Sequence, residues 1–257
     1  MGMWNTTLKK FTSNNDRLFE GTFNVLNGSA GHIPLAAGQI HGFTTVNKFG
    51  YSDSIANLST IWDGSNIYTY STSAGVVTVS GTTDDDEAII EVQGLDANYN
   101  LITQNAQLNG DGNATFATNM IRIFRARVKE PAPGETTNAG ILNISIAGQL
   151  RAKILAGNGQ TLMALYTIPA GKTGYLLNLT MSVDKNVDVI YKLISIEPID
   201  GRVANLKGQF GTFGTPIDHN YPIPLKFAEK TDIEVRADAG NACGGGATFD
   251  LILVDNN

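Results

Sequence analysis

Ile121-Arg122-Ile123-Phe124-Arg125-Ala126-Arg127-Val128 alternates apolar with basic side chains and breaks step once, at Phe124-Arg125. Successive side chains on a strand point to opposite faces, so a period of two marks a half-buried β-strand. Two off-phase residues in succession predict a β-bulge at the break. The same rhythm recurs upstream in residues 76–79, 88–92 and 101–103, and downstream in 141–146, with turn residues between. A second set starts near Arg151. It comprises 161–168, the turn 169–174, the runs 175–183 and 187–196 about a turn at Asp184-Lys185-Asn186, and then 233–237 and 249–254. Gly-rich residues 238–246 read as a loop, and 201–224 as a long connection able to cross from one sheet to another, as Greek keys require. No window longer than about ten residues has a strong 3.6-residue apolar period, so helices should be short and few.

These signals predict an all-β chain of two β-sandwich or jelly-roll-like domains, at 59–150 and 151–257, preceded by an extended N-terminal arm, 1–58. The arm spreads Trp4, Phe11, Phe19, Phe23, Phe43 and Phe49 among Asn, Gly and Thr, without a period. That is too aromatic for a plain disordered tail and too irregular for a domain. At 257 residues the chain can bury a large core without metal or disulfide staples.

Charged residues make up 16% of the chain, against about 25% in a typical soluble domain. The 28 glycines, with abundant Asn, suit tight turns. A net charge of −6 repels phosphate backbones, so no nucleic-acid partner is expected. No apolar run reaches the ~20 residues of a membrane helix, and the N-terminus lacks the order of a secretory signal, so no membrane partner is expected either. The single cysteine, Cys243, excludes an intrachain disulfide and fits folding in a reducing cytoplasm. Without a secretion signal, the six sequons at Asn5, Asn27, Asn57, Asn113, Asn143 and Asn178 read as by-products of composition.

Motifs for chemistry are weak. Gly171-Lys172-Thr173 ends like a phosphate-binding loop, but Tyr166 stands where that motif needs glycine and a strand follows, so it reads as a hairpin turn. Asp84-Asp85-Asp86-Glu87 could offer oxygens to calcium, yet consecutive residues diverge, and a solvated loop is the expectation. Asn109-Gly110-Asp111-Gly112-Asn113 reads as a turn. His32, His41 and His219 lie far apart, and none sits at metal-ligand spacing. Arg122, Arg125 and Arg127 form a basic patch on one strand, either solvated or facing an acidic neighbouring subunit. Trp62, Tyr68 and Tyr70 are the one local aromatic cluster, suited to the core before a glycan platform. No catalytic residue, cofactor or metal site is expected, and the chain is read as non-enzymatic.

Several stretches together resemble a widespread group of marine-phage structural proteins. They are Val46-Asn47-Lys48-Phe49-Gly50-Tyr51, Ile61-Trp62-Asp63-Gly64-Ser65-Asn66-Ile67-Tyr68, residues 92–99 and 108–110, residues 156–173, and residues 227–237. The likeness spans about residues 46–254 and implies a two-domain β protein of the virion. The resemblance implies a component of the particle and leaves its place there open; the chain is expected to be a capsid decoration or cement protein, assembled in the host bacterial cytoplasm. Its partners would be the major capsid protein or other virion proteins, and a homo-oligomer, with a trimer favoured, is the expected state. The rival expectations are a tail adaptor, nozzle or fibre, and a host-glycan-binding β-module.

Overall fold

A computed structural model describes residues 35–55, 57–198 and 202–256, which carry sixteen strands; the chain is all-β. Eight of them are β1 (Phe43–Ile55), β10 (Leu165–Thr167), β11 (Lys172–Val183), β12 (Asp188–Ile196), β13 (Ala204–Phe213), β14 (Ile217–Phe227), β15 (Asp232–Ala239) and β16 (Cys243–Asp255). They pair antiparallel in two sheets, ordered β1-β16-β11-β14 and β10-β15-β12-β13, and the short β2 (Ser59–Thr60) pairs with β15. Each sheet interleaves early strands with late ones, the double Greek key of an eight-stranded jelly roll. Inward residues of both sheets, among them Leu179, Met181, Tyr191, Leu193, Val235, Phe249 and Leu251, fill the space between them.

Between β1 and β10 the chain leaves the jelly roll and builds a second sandwich. Its strands are β3 (Val77–Ser80), β4 (Ile89–Leu95), β5 (Leu101–Gln107), β6 (Asn113–Thr115), β7 (Arg122–Glu130), β8 (Leu142–Ile146) and β9 (Gln149–Ile154). They form sheets ordered β6-β3-β8-β9 and β5-β4-β7. Val77, Val79, Ile90, Val92, Ile123, Leu142 and Ile144 are buried in it, as the alternating runs predict. The register of β4 against β7 skips at Phe124, where Gln93 faces Arg125 and Gly94 faces Ile123, which is the predicted bulge. The two segments that carry the chain out and back lie together: Ala164 N–H donates to Ile61 O at 2.9 Å, and Trp62 bridges Met163.

Several boundaries move. Residues 43–55 belong to the jelly roll as β1, not to an arm, because β1 pairs with β16, some two hundred residues away, from Phe43 to Ser52 and again at Ile55. Their inward side chains are Lys48, Gly50, Ser52 and Ile55, a face with no apolar rhythm to read. The part of the arm at 1–34 lies outside the described residues. The second boundary falls after β9, which pairs with β8, and not at Arg151. The Gly-rich stretch 238–246 is mostly strand: a Cβ on Gly245 would lie 2.5 Å from Tyr191 Oη and 2.7 Å from Ile55 Cδ1, so the backbone there runs against packed side chains. The turn 169–174 joins β10 to β11 across the two sheets, with Gly171 at φ 72°, rather than closing a hairpin. The connection 201–224 does cross between sheets, largely as β13 and β14.

Candidate assembly surface

Strands β13 and β14 each end one sheet, and Phe210 of the first faces His219 of the second. Gly214, at φ 70°, turns one into the other. Between the sheets Phe210 meets His219 with ring centroids 4.9 Å apart, and His219 meets Tyr221 at 4.5 Å. His219 is thus a member of an aromatic stack. Outside, large apolar side chains stand in solvent: Val203 is 62% exposed, Leu206 55%, Phe213 60% and Ile223 84%. Contiguous exposed apolar patches mark contact surfaces. The two edges differ. Pro222 and Pro224 remove two N–H donors from β14 and block strand addition there, whereas β13 carries no proline.

Where the two sandwiches meet, charges are buried. Arg122, on β7 of the inserted sandwich, donates from Nε to Asp232 Oδ1 at 2.8 Å and from Nη2 to Oδ2 at 3.0 Å. It also donates to Ser71 O at 2.6 Å, and Tyr70 and Tyr99 flank its guanidinium at 5.1 and 5.5 Å. Asp232, at the start of β15, further accepts from Thr167 Oγ1 at 2.6 Å and from Arg202. Arg151 donates to Ser71 Oγ and Thr69 Oγ1, each at 3.0 Å. Nearby, Glu234 accepts from Thr60 Oγ1 at 2.7 Å and from Arg236 Nε at 2.8 Å, while burial pushes its carboxyl above the usual range.

Two more titratable groups are buried at the same seam. Lys48 points inward from β1 and donates to Phe124 O of the bulge; burial, and secondly Arg125, lowers its ammonium to about 7. Asp63 accepts from Leu162 N–H at 2.7 Å, yet burial outweighs that bond and raises its carboxyl to about 7.

The arginines do not form one patch. Arg122 is buried in the pair just described, Arg125 donates to Gln160 at 2.9 Å, and Arg127 pairs with Glu91 at 2.9 Å. The acidic run is a loop staple more than a solvated loop. Buried Asp85 accepts from Ala139 N at 2.7 Å and Gly140 N at 2.9 Å, and Asp86 accepts from Gly112 N at 2.9 Å. Its neighbours point elsewhere, and among the described residues no three His, Cys, Asp or Glu side chains are placed to hold a metal ion. Trp62, Tyr68 and Tyr70 stack edge to face at 4.9 Å, with Trp62 and Tyr68 in the core, so they offer no open platform. His41 is exposed, Cys243 is buried at the start of β16, and His32 lies outside the described residues. Among the described residues no helix is long and apolar enough to cross a membrane.

No protein-family profile and no curated protein matches the chain. Among solved structures it is similar to a chain from the triple jelly roll and turret assembly of an archaeal virus. That match has a TM-score of 0.25 and 7% identity, and covers 84% of this chain and 60% of the other. It is also similar to a chain of infectious bursal disease virus, Gt strain, with a TM-score of 0.21 and 10% identity, covering 84% of this chain and 73% of the other. The chain therefore spans 60% of the length of the archaeal-virus chain.

Proposed function

We propose that the chain is a non-enzymatic bacteriophage virion protein that decorates and cements the head, with a tail adaptor, nozzle or fibre as the second reading. The observation that carries a packing role is the β13–β14 end, where Val203, Leu206, Phe213 and Ile223 face water beside an unblocked strand edge. Covering one such side chain contributes ~1.5–3 kcal/mol before the cost of association, so several covered together sustain a joint repeated many times over a shell. The resemblance of residues 46–254 to phage structural proteins supplies the setting. The major capsid protein is the proposed partner, and a trimer the proposed state, since closed symmetry is the rule for such assemblies.

Cryo-electron microscopy of intact particles, with this chain traced, tests the proposal. Density on the head exterior supports the cement role and density on the tail the second reading. Absence of the chain from purified particles overturns both. Deletion of residues 1–34, which leaves β1 whole, tests anchoring by the N-terminal segment; unchanged incorporation refutes that part.

A further inference from the structure

A shallow depression of about 370 Å³ opens on the outer face of the β1-β16-β11-β14 sheet. Its floor is a single row across three strands: Asn47 on β1 lies opposite Asp250 on β16, which lies opposite Asn178 on β11. Asn47 Nδ2 donates to Asp250 Oδ1 at 2.7 Å, and Asn178 Nδ2 donates to Asp250 Oδ2 at 2.8 Å. Thr45 and half-buried Leu177 line it, with Leu35 and Ile252 buried beneath. In the neighbouring row Tyr175 lies opposite Ile252, and on the other side Phe49 lies opposite Thr248.

This arrangement selects hydrogen-bond donors. Each asparagine commits an amide N–H to the carboxylate, which orients its carbonyl oxygen away from Asp250. The row then presents carbonyl, carboxylate and carbonyl oxygens at the ~4.8 Å spacing of adjacent strands. Both carboxylate oxygens already hold an N–H, so the charge is partly met and neutral donors suffice. Apolar side chains lie beside the polar row, as in small-molecule sites, and the volume lies within their range of roughly 300–1,000 Å³. A ring with hydroxyls on one edge and C–H groups on its face fits both surfaces.

We propose that this depression binds one pyranose unit of a neutral saccharide, with hydroxyls on the Asn47–Asp250–Asn178 row and the C–H face against half-buried Leu177. The inference does not rest on a place in a particle, and the two fail separately. The row also ties three strands together, so the test must separate binding from sheet stability.

The experiment titrates the full chain with glucose, galactose, mannose and N-acetylglucosamine, read by saturation-transfer NMR and calorimetry. At least one should bind in the millimolar range, ~1–10 mM. Asp250→Asn should weaken it at least about tenfold. Leu177→Ser, which leaves the hydrogen-bonded row intact, should also weaken it while the melting temperature stays unchanged. Methylammonium serves as a cationic probe. Failure of all four sugars, sugar binding indifferent to both substitutions, or Asp250-dependent binding of methylammonium alone would each overturn the proposal.

Discussion

The seam between the two sandwiches and the β13–β14 end are built from the same alternating strands, yet they invert each other. At the seam Arg122, Asp232, Glu234, Lys48 and Asp63 are buried; at the end Val203, Leu206, Phe213 and Ile223 are exposed. A buried charge persists only when its partners replace water, and Asp232 has three side-chain donors to do so. An exposed apolar side chain contributes nothing to the fold of an isolated chain. The seam is therefore finished within one molecule, whereas the end leaves apolar side chains facing water. Substitutions at the first should change stability, and at the second association.

The largest effect is expected from Asp232→Ala, which leaves the Arg122 guanidinium buried without its carboxylate. Breaking such a pair costs about 3–5 kcal/mol, measurable by urea unfolding. A loss under about 1 kcal/mol would mean that the seam does not depend on the pair. Gly245→Ala comes next. Its methyl group would press on Tyr191 and Ile55, at about 1–3 kcal/mol for an overpacked core.

Lys48→Met sharpens the comparison through pH. The folded-state value of Lys48 lies near 7 and the unfolded value near 10.5, so between them the unfolded chain binds the extra proton. Stability should rise with pH across that window by up to about 1.4 kcal/mol per unit and be flat below 7 on this account. The methionine variant should lack the rise, and parallel curves for the two proteins would remove Lys48 as its source. The smallest effect on the fold is expected from Ile223→Ser and Leu206→Ser. Each should leave stability within about 0.5 kcal/mol while lowering incorporation into particles. Normal incorporation of the double variant would show that the end is not the joint.

What could be read from the sequence follows the same division. The bulge at Phe124-Arg125 and the strands about it were visible because their inward residues are apolar and regular. β1 was invisible because Lys48, Gly50 and Ser52 point inward. Lys48 serves the bulge carbonyl, and a Cβ on Gly50 would lie 2.6 Å from Ile61 O. The glycines at 244–246 imitate a loop, and their need arises from Tyr51 and Tyr191, far away in sequence. Arg122 appeared as one of three surface arginines, since nothing local announces Asp232, 110 residues on. Nor did the row Asn47–Asp250–Asn178 carry a signal, being three ordinary polar residues until register aligns them.

The inserted sandwich has a consequence for the order in which the chain acquires its shape. Strands β3 to β9 are contiguous and find all their sheet partners among themselves, so this unit can close while the ribosome is still translating the second half. The jelly roll has no such freedom: β1 emerges early but must wait for β16 to supply its hydrogen-bonding partner. For most of synthesis β1 is an unpartnered ribbon tethered to a finished body. Its inward lysine, glycine and serine make it a poor seed for aggregation during that wait.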